Sequence, residues 1–147
     1  NNSLKKKLKN NQQTYGCWIT LSNPLIPEIL APAGFDWLCI DMEHSSIELR
    51  DILPLIISIE NSGMIPLVRV GENNANLIKR VMDAGAHGVI VPNVNSLEEA
   101  RAAVNAVKYP PKKVDNIILQ LPTPEKIKIK APIIIAIKEV SPTEPGI

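Results

Sequence analysis

Aromatic residues are scarce in this chain: one Phe, two Trp and two Tyr make up 3% of 147 residues. So thin a set supplies no base-stacking platform of the kind single-strand binders use. An excess of one charge is missing too. The 16 Lys and Arg stand against 15 Asp and Glu, a formal net charge of +1, which argues against a dedicated nucleic-acid binder. No uninterrupted apolar run approaches the roughly 18 residues of a membrane helix. Lys5, Lys6, Lys7 and Lys9 are not followed by the apolar stretch of a signal peptide. Cysteine is limited to Cys17 and Cys39, each inside an apolar run, which predicts buried thiols in a reducing compartment rather than a disulfide. The expectation is a cytoplasmic protein with no nucleic-acid and no membrane partner.

What is present is an ordinary globular balance, 45% hydrophobic and 21% charged. The length allows one domain with a real core but falls short of the ~250 residues of a complete eight-fold β/α barrel. Residues 4–13 set Leu4 and Leu8 at helical spacing among lysines. They read as a short solvated helix with one apolar edge, or as a basic patch steering an anion. Then a rhythm begins. Apolar, strand-like runs start near residues 16, 37, 65 and 88 (GCWITL, WLCID, IPLVRV, GVIVPNV), each followed by a helical pattern.

The helical patterns carry their own stop and start signals. Gly34 follows the first, and Pro54 either kinks the second or marks its true first turn. Gly85 is placed to end the third, and Ser96 with Glu99 has capping-box spacing at the start of the fourth. Continuous apolar strands separated by amphipathic helices demand a parallel sheet covered by helices. The fold class expected is α/β, either a doubly wound sheet or about four βα units of a barrel, with ligands at the carboxyl ends of the strands.

The character changes at Tyr109-Pro110-Pro111. Seven of the 13 prolines fall in residues 110–147, and Gly146 is the only glycine after Gly88. Residues 116–121 and 133–140 suit strands, without a convincing amphipathic helix between them. The division expected is a β/α unit over 1–111 and an irregular, Pro-rich segment over 112–147.

The densest reactive group is Asp41-Met42-Glu43-His44 at a strand's carboxyl end. A histidine beside carboxylates can have its tautomer fixed and its basicity raised, which suits a general base. Arg69, near the end of the next strand, offers a fork for a carboxylate. The competing reading is a loop whose Asp and His cap a helix and whose Arg pairs with Glu43 or Glu72. His87 reads as a packing or capping residue, and Asp83 as a late-helix polar residue or one reaching a site in an oligomer.

The segments GFDWLCIDMEHSSIELRDI and IPLVRVGENNANLIKRVMDAGAHGVIVPNVNSLEEARAAVNAVKYPP, in that order, closely resemble the HpcH/HpaI aldolase family over about residues 4–111. The resemblance implies part of a (β/α)8 TIM barrel, a homo-oligomer, and carbon–carbon lyase chemistry joining a pyruvate-type 2-keto acid to an aldehyde. It implies a divalent metal (Mg, Mn or Co) as cofactor. It makes His44 the acid/base group, oriented by Asp41, and puts Glu43 on metal-bound water. Arg69 would bind the keto acid and stabilise the enolate, and Asp83 would face a neighbouring subunit's site. An enolate is the kind of charge that a metal and an arginine stabilise.

The family's metal is held by a Glu after the fifth strand and an Asp in a later glycine-proline loop. Neither motif is found here, and Pro122 stands where the Glu is expected. Residues 114–127 (VDNIILQLPTPEKI) resemble a short segment of methylenetetrahydrofolate dehydrogenase/cyclohydrolase in which Gln120 would contact folate, consistent with a fusion or frameshift join. The expected function is therefore an aldolase impaired by loss of its metal-binding half. The alternative is a non-catalytic, truncated β/α scaffold that self-associates through open sheet edges.

Overall fold

A computed structural model describes residues 3–108 and the backbone of 134–137. Helix α1 (Ser3–Lys9) leads into four βα units: β1 (Gly16–Ile19) with α2 (Leu25–Leu30), β2 (Trp37–Asp41) with α3 (Leu49–Asn61), β3 (Ile65–Arg69) with α4 (Ala75–Asp83), and β4 (Gly88–Val91) with α5 (Leu97–Ala106). The strands pair in sequential parallel order, and β5 (Ile134–Ile137) adds to β4 antiparallel. The four parallel units expected from the sequence are thus present. Residues 116–121, read as a further strand, lie outside the described residues.

Alternation along the strands sorts the core into two layers. Ile19, Leu38, Ile40, Val68, Val89 and Val91 meet the helices in the main cluster, together with Ile52, Leu55, Ile56 and Ile59 of α3 and Ile78, Val81 and Met82 of α4. The opposite face carries Cys39, Leu67 and Ile90, and there Leu4 of α1 is buried. The basic N-terminal segment is therefore a helix whose apolar edge is docked rather than solvated. Lys7 Nζ donates to Asp36 Oδ1 at 2.5 Å, and the same carboxylate accepts the Tyr15 N–H at 2.9 Å.

Local signals set most boundaries. Asn74 accepts from the N–H groups of Asn76 and Leu77, starting α4, and Gly85 takes φ +109° just past its end. Ser96 and Glu99 form the reciprocal capping box of α5. Pro54 lies inside α3, five residues beyond Leu49, so it does not mark the first turn; that start is set by Glu48 and Asp51. Cys39 is buried, Cys17 only partly so, and both are free thiols. No helix among the described residues is long and apolar enough to cross a membrane.

Candidate active site

Asp41 and Arg69 are register partners at the ends of β2 and β3, and both side chains reach the face away from the helices. Beyond Asp41 the chain folds back on that carboxylate. Asp41 Oδ1 accepts the backbone N–H of Glu43 at 3.0 Å and of His44 at 3.2 Å, a side-chain-closed turn that aspartate favours. The Ser45 hydroxyl donates to the Asp41 carbonyl and accepts the Ile47 N–H at 3.0 Å. Across the ladder the Met42 N–H donates to the Arg69 carbonyl at 2.9 Å. The loop carrying His44 is clamped at both ends.

Arg69 grips the same carboxylate side-on. Its Nε donates to Asp41 Oδ1 at 2.9 Å and its Nη2 to Asp41 Oδ2, while Nη1 lies 3.2 Å from Glu43 Oε2. Trp18 of β1 lies against the guanidinium, ring centroid 4.4 Å from Cζ. A guanidinium has five N–H donors. Two are engaged by Asp41, and the three that remain sit on the terminal nitrogens, one on Nη2 and two on Nη1, which also forms an ion pair with Glu43. One from each terminal nitrogen makes the pair that a carboxylate or an enolate oxygen requires.

The electrostatics follow from this geometry. Burial alone would raise the Asp41 carboxyl. The hydrogen bonds from Arg69 and from the N–H groups of His44 and Glu43 outweigh it and hold Asp41 below the ordinary carboxylate range. Asp41 likewise holds the Arg69 guanidinium more firmly protonated, against the opposing effect of its own burial. Beneath them, burial and then the Asp41 charge push the Cys39 thiol well above its usual range, so it stays neutral.

His44 projects outward, its side chain 69% exposed, with Nε2 3.8 Å from Glu43 Oε2. Asp41 fixes the backbone that carries His44, and the carboxylate beside the imidazole is that of Glu43. Asp41, Glu43, His44 and Arg69 thus share one rim. Asp83 does not join them: it ends α4, which runs antiparallel to the strands, and so lies at the opposite rim. His87 is also at that end, its Nε2 2.7 Å from Glu60 Oε1. The polar run Asn93–Asn95 is taken up by the start of α5, where Asn95 N–H donates to Glu99 Oε2 at 2.7 Å. Sequence reasoning missed Trp18. Its signal was alternation, since in Gly16–Ile19 the buried Ile19 marks one face and Trp18 the other.

The donor set was tested against a divalent cation. Among the described residues no three His, Cys, Asp or Glu side chains converge. Asp41 already accepts from Arg69 and from two backbone N–H groups, and Glu43 Oε2 faces Arg69. These residues alone do not fit a metal centre, and Pro122, at the position expected for a ligand, lies outside the described residues.

Residues 14–139 match the family model described as HpcH/HpaI aldolase/citrate lyase, a match that runs past residue 111. The chain is 46% identical over 104 residues to 2-dehydro-3,6-dideoxy-6-sulfogluconate aldolase of Pseudomonas putida, covering 71% of this chain and 41% of the relative. It is 38% identical over 116 residues to 5-keto-4-deoxy-D-glucarate aldolase of Escherichia coli, covering 79% and 45%. Among solved structures it superposes on an HpcH/HpaI aldolase from Desulfitobacterium hafniense DCB-2 with TM-score 0.68 and 38% identity, covering 74% of this chain and 42% of that one. The citrate synthase SbnG matches with TM-score 0.71 and 34% identity over 80% and 48%. The chain spans less than half the length of the relatives it matches.

Proposed function

The chain belongs to the HpcH/HpaI aldolase/citrate lyase family, and from that premise we propose that it supplies the keto-acid-handling rim of a carbon–carbon lyase. The substrate class is a pyruvate-type 2-keto acid paired with an aldehyde. The observation that carries this reading is the Arg69 guanidinium, held side-on by Asp41 yet keeping at least one N–H on each terminal nitrogen. Those donors suit the carboxylate and carbonyl oxygen of the keto acid, and they strengthen as the carbonyl oxygen gains charge on enolisation. The exposed imidazole of His44 is the group to exchange the proton. Glu43 lies between them.

Charge balance adds a requirement. Asp41, Glu43 and Arg69 sum to one negative charge, so a compensating cation favours an incoming carboxylate. The family is metal-dependent, and a divalent ion supplies Lewis-acid stabilisation of an enolate. Its ligand set is not found among the described residues. Asp83, at the far rim, acts on a keto acid only if a homo-oligomer brings it to a neighbouring copy's site.

Exchange of pyruvate methyl protons for deuterium, followed by NMR with Mg²⁺, Mn²⁺ or Co²⁺ in the buffer, tests the reading. Exchange by the wild-type chain that is lost in His44→Ala and in Arg69→Ala supports it. A folded chain that exchanges nothing favours a second reading, a non-catalytic β/α scaffold. One observation speaks for that alternative: β1 has β2 as its sole strand partner among the described residues, which leaves an edge open to self-association. At the other side of the four parallel strands, the β4 edge is taken by β5.

A further inference from the structure

We propose that Trp18 is the positioning residue of Arg69, holding the plane of the guanidinium so that the remaining N–H groups on its terminal nitrogens act as a fixed set. The inference rests on the reading of Arg69 as the keto-acid group and assigns a residue to its control. Asp41 accepts from Arg69 N–H groups that lie in the guanidinium plane, and Glu43 forms an ion pair with Nη1. In-plane bonds along one edge fix where that edge sits. They resist tilting of the plane only weakly.

Trp18 contributes the missing restraint. Its ring lies 4.4 Å from Cζ, within the range over which an indole attracts a guanidinium face. The ring belongs to β1, whereas the carboxylates come from β2 and the loop after it; Trp18 is in register with Cys39, two rungs below the Asp41–Arg69 pair. Arg69 is thus held from three directions by β1, β2 and the loop after β2. Trp18 lies on the face opposite the buried Ile19. Over Arg69 the indole shields one side of the cation from water, which strengthens the remaining donors.

The test compares Trp18→Leu and Trp18→Phe with the wild type. The first readout is solvent exchange of the Arg69 Nε–H, measured by ¹⁵N NMR without any substrate. Exchange about tenfold faster in Trp18→Leu and near wild type in Trp18→Phe is the result expected for a face contact of this kind. An unchanged rate in a folded Trp18→Leu overturns the proposal. The second readout is the pyruvate concentration giving half-maximal deuterium exchange. It should rise about tenfold in Trp18→Leu, with Phe restoring most of the loss. If the wild type shows no pyruvate exchange, the keto-acid reading fails and the Nε–H measurement alone decides the role of Trp18. If Trp18→Leu does not fold, Trp18→Phe decides: an Nε–H rate within threefold of wild type supports the proposal, and a rise matching global loosening of backbone amides overturns it.

Discussion

Arg69 and Asp41 face one another across a single rung of the β2–β3 ladder, with Arg69 Nε 2.9 Å from Asp41 Oδ1. The pair is nearly dry, the side chains 17% and 3% exposed. Fixed backbone registry therefore sets where the edge of the guanidinium sits. A lysine keeps the charge but loses the fork and the face that Trp18 covers. Arg69→Lys is expected to fold and to weaken pyruvate-dependent exchange about 10- to 100-fold, the size of one lost charged hydrogen bond. Exchange kinetics beside a thermal melt check this.

Removing the partner is a different experiment. Asp41→Ala leaves the Arg69 charge with Glu43 as its remaining carboxylate and releases the N–H groups of Glu43 and His44. Breaking a buried pair from one side costs about 3–5 kcal/mol. Urea unfolding should show a loss at the lower end of that range, since water reaches Arg69 more easily than a deep interior. A loss below about 1 kcal/mol would show that the pair is energetically a surface one.

Acid should reveal the same carboxylate. Asp41 is depressed in the folded state, so its stabilisation is complete above the unfolded aspartate value near 4. It is lost as pH falls from there through the lower folded value. Asp36, depressed first by its hydrogen bond from Lys7 and then by that from Tyr15, behaves likewise. Stability measured between pH 5 and 2 should fall less steeply in Asp41→Asn and in Asp36→Asn than in the wild type. A slope unchanged in both variants would assign acid unfolding to other groups.

Much of this was legible in the chain. β2 runs over the residues expected, Trp37–Asp41, because both flanks carry turn signals. The helix starts at Asn74 and Ser96 follow from capping chemistry read within four residues. β1 ends at Ile19 rather than Leu21, and Leu21 is exposed: an apolar run shows where a strand can lie, not where its neighbour stops pairing. The partner of Arg69 was less accessible. Glu43 and Glu72 were the partners considered, and Glu43 does lie 3.2 Å from Nη1, but Asp41 holds the main contact because inter-strand register puts residues 28 apart on one rung. Trp18 was hidden for the same reason. Its target lies two strands away, and single-strand patterning carries no record of that.

Helix α1 tests which contact docks it. Leu4 is 2% exposed and packs with Cys39, Leu67 and Ile90, while Lys7 is 42% exposed in its pair with Asp36. A buried Leu→Ala change costs about 2–5 kcal/mol, whereas exposed ion pairs contribute about 0–1 kcal/mol. Leu4→Ala should therefore speed amide exchange in α1 far more than Lys7→Ala. The reverse order, read by hydrogen exchange, would make α1 an electrostatically held arm.

Gly16 supplies the most local of these tests. It is in register with Trp37 on β2, and a Cβ built at Gly16 would overlap the Trp37 indole. That indole is partly buried and donates through Nε1 to Thr14 Oγ1 at 3.4 Å. Gly16→Ala must therefore either push the ring aside, breaking the Thr14 contact, or spread β1 from β2. Overpacking of this kind costs about 1–3 kcal/mol. Fluorescence separates the two outcomes in a Trp18→Phe background, where Trp37 is the one remaining indole. A displaced ring shifts the Trp37 emission and leaves the Arg69 Nε–H signal in place. Spreading of the strands moves both, because the layer that holds Trp37 supports the rungs on which Asp41 and Arg69 meet.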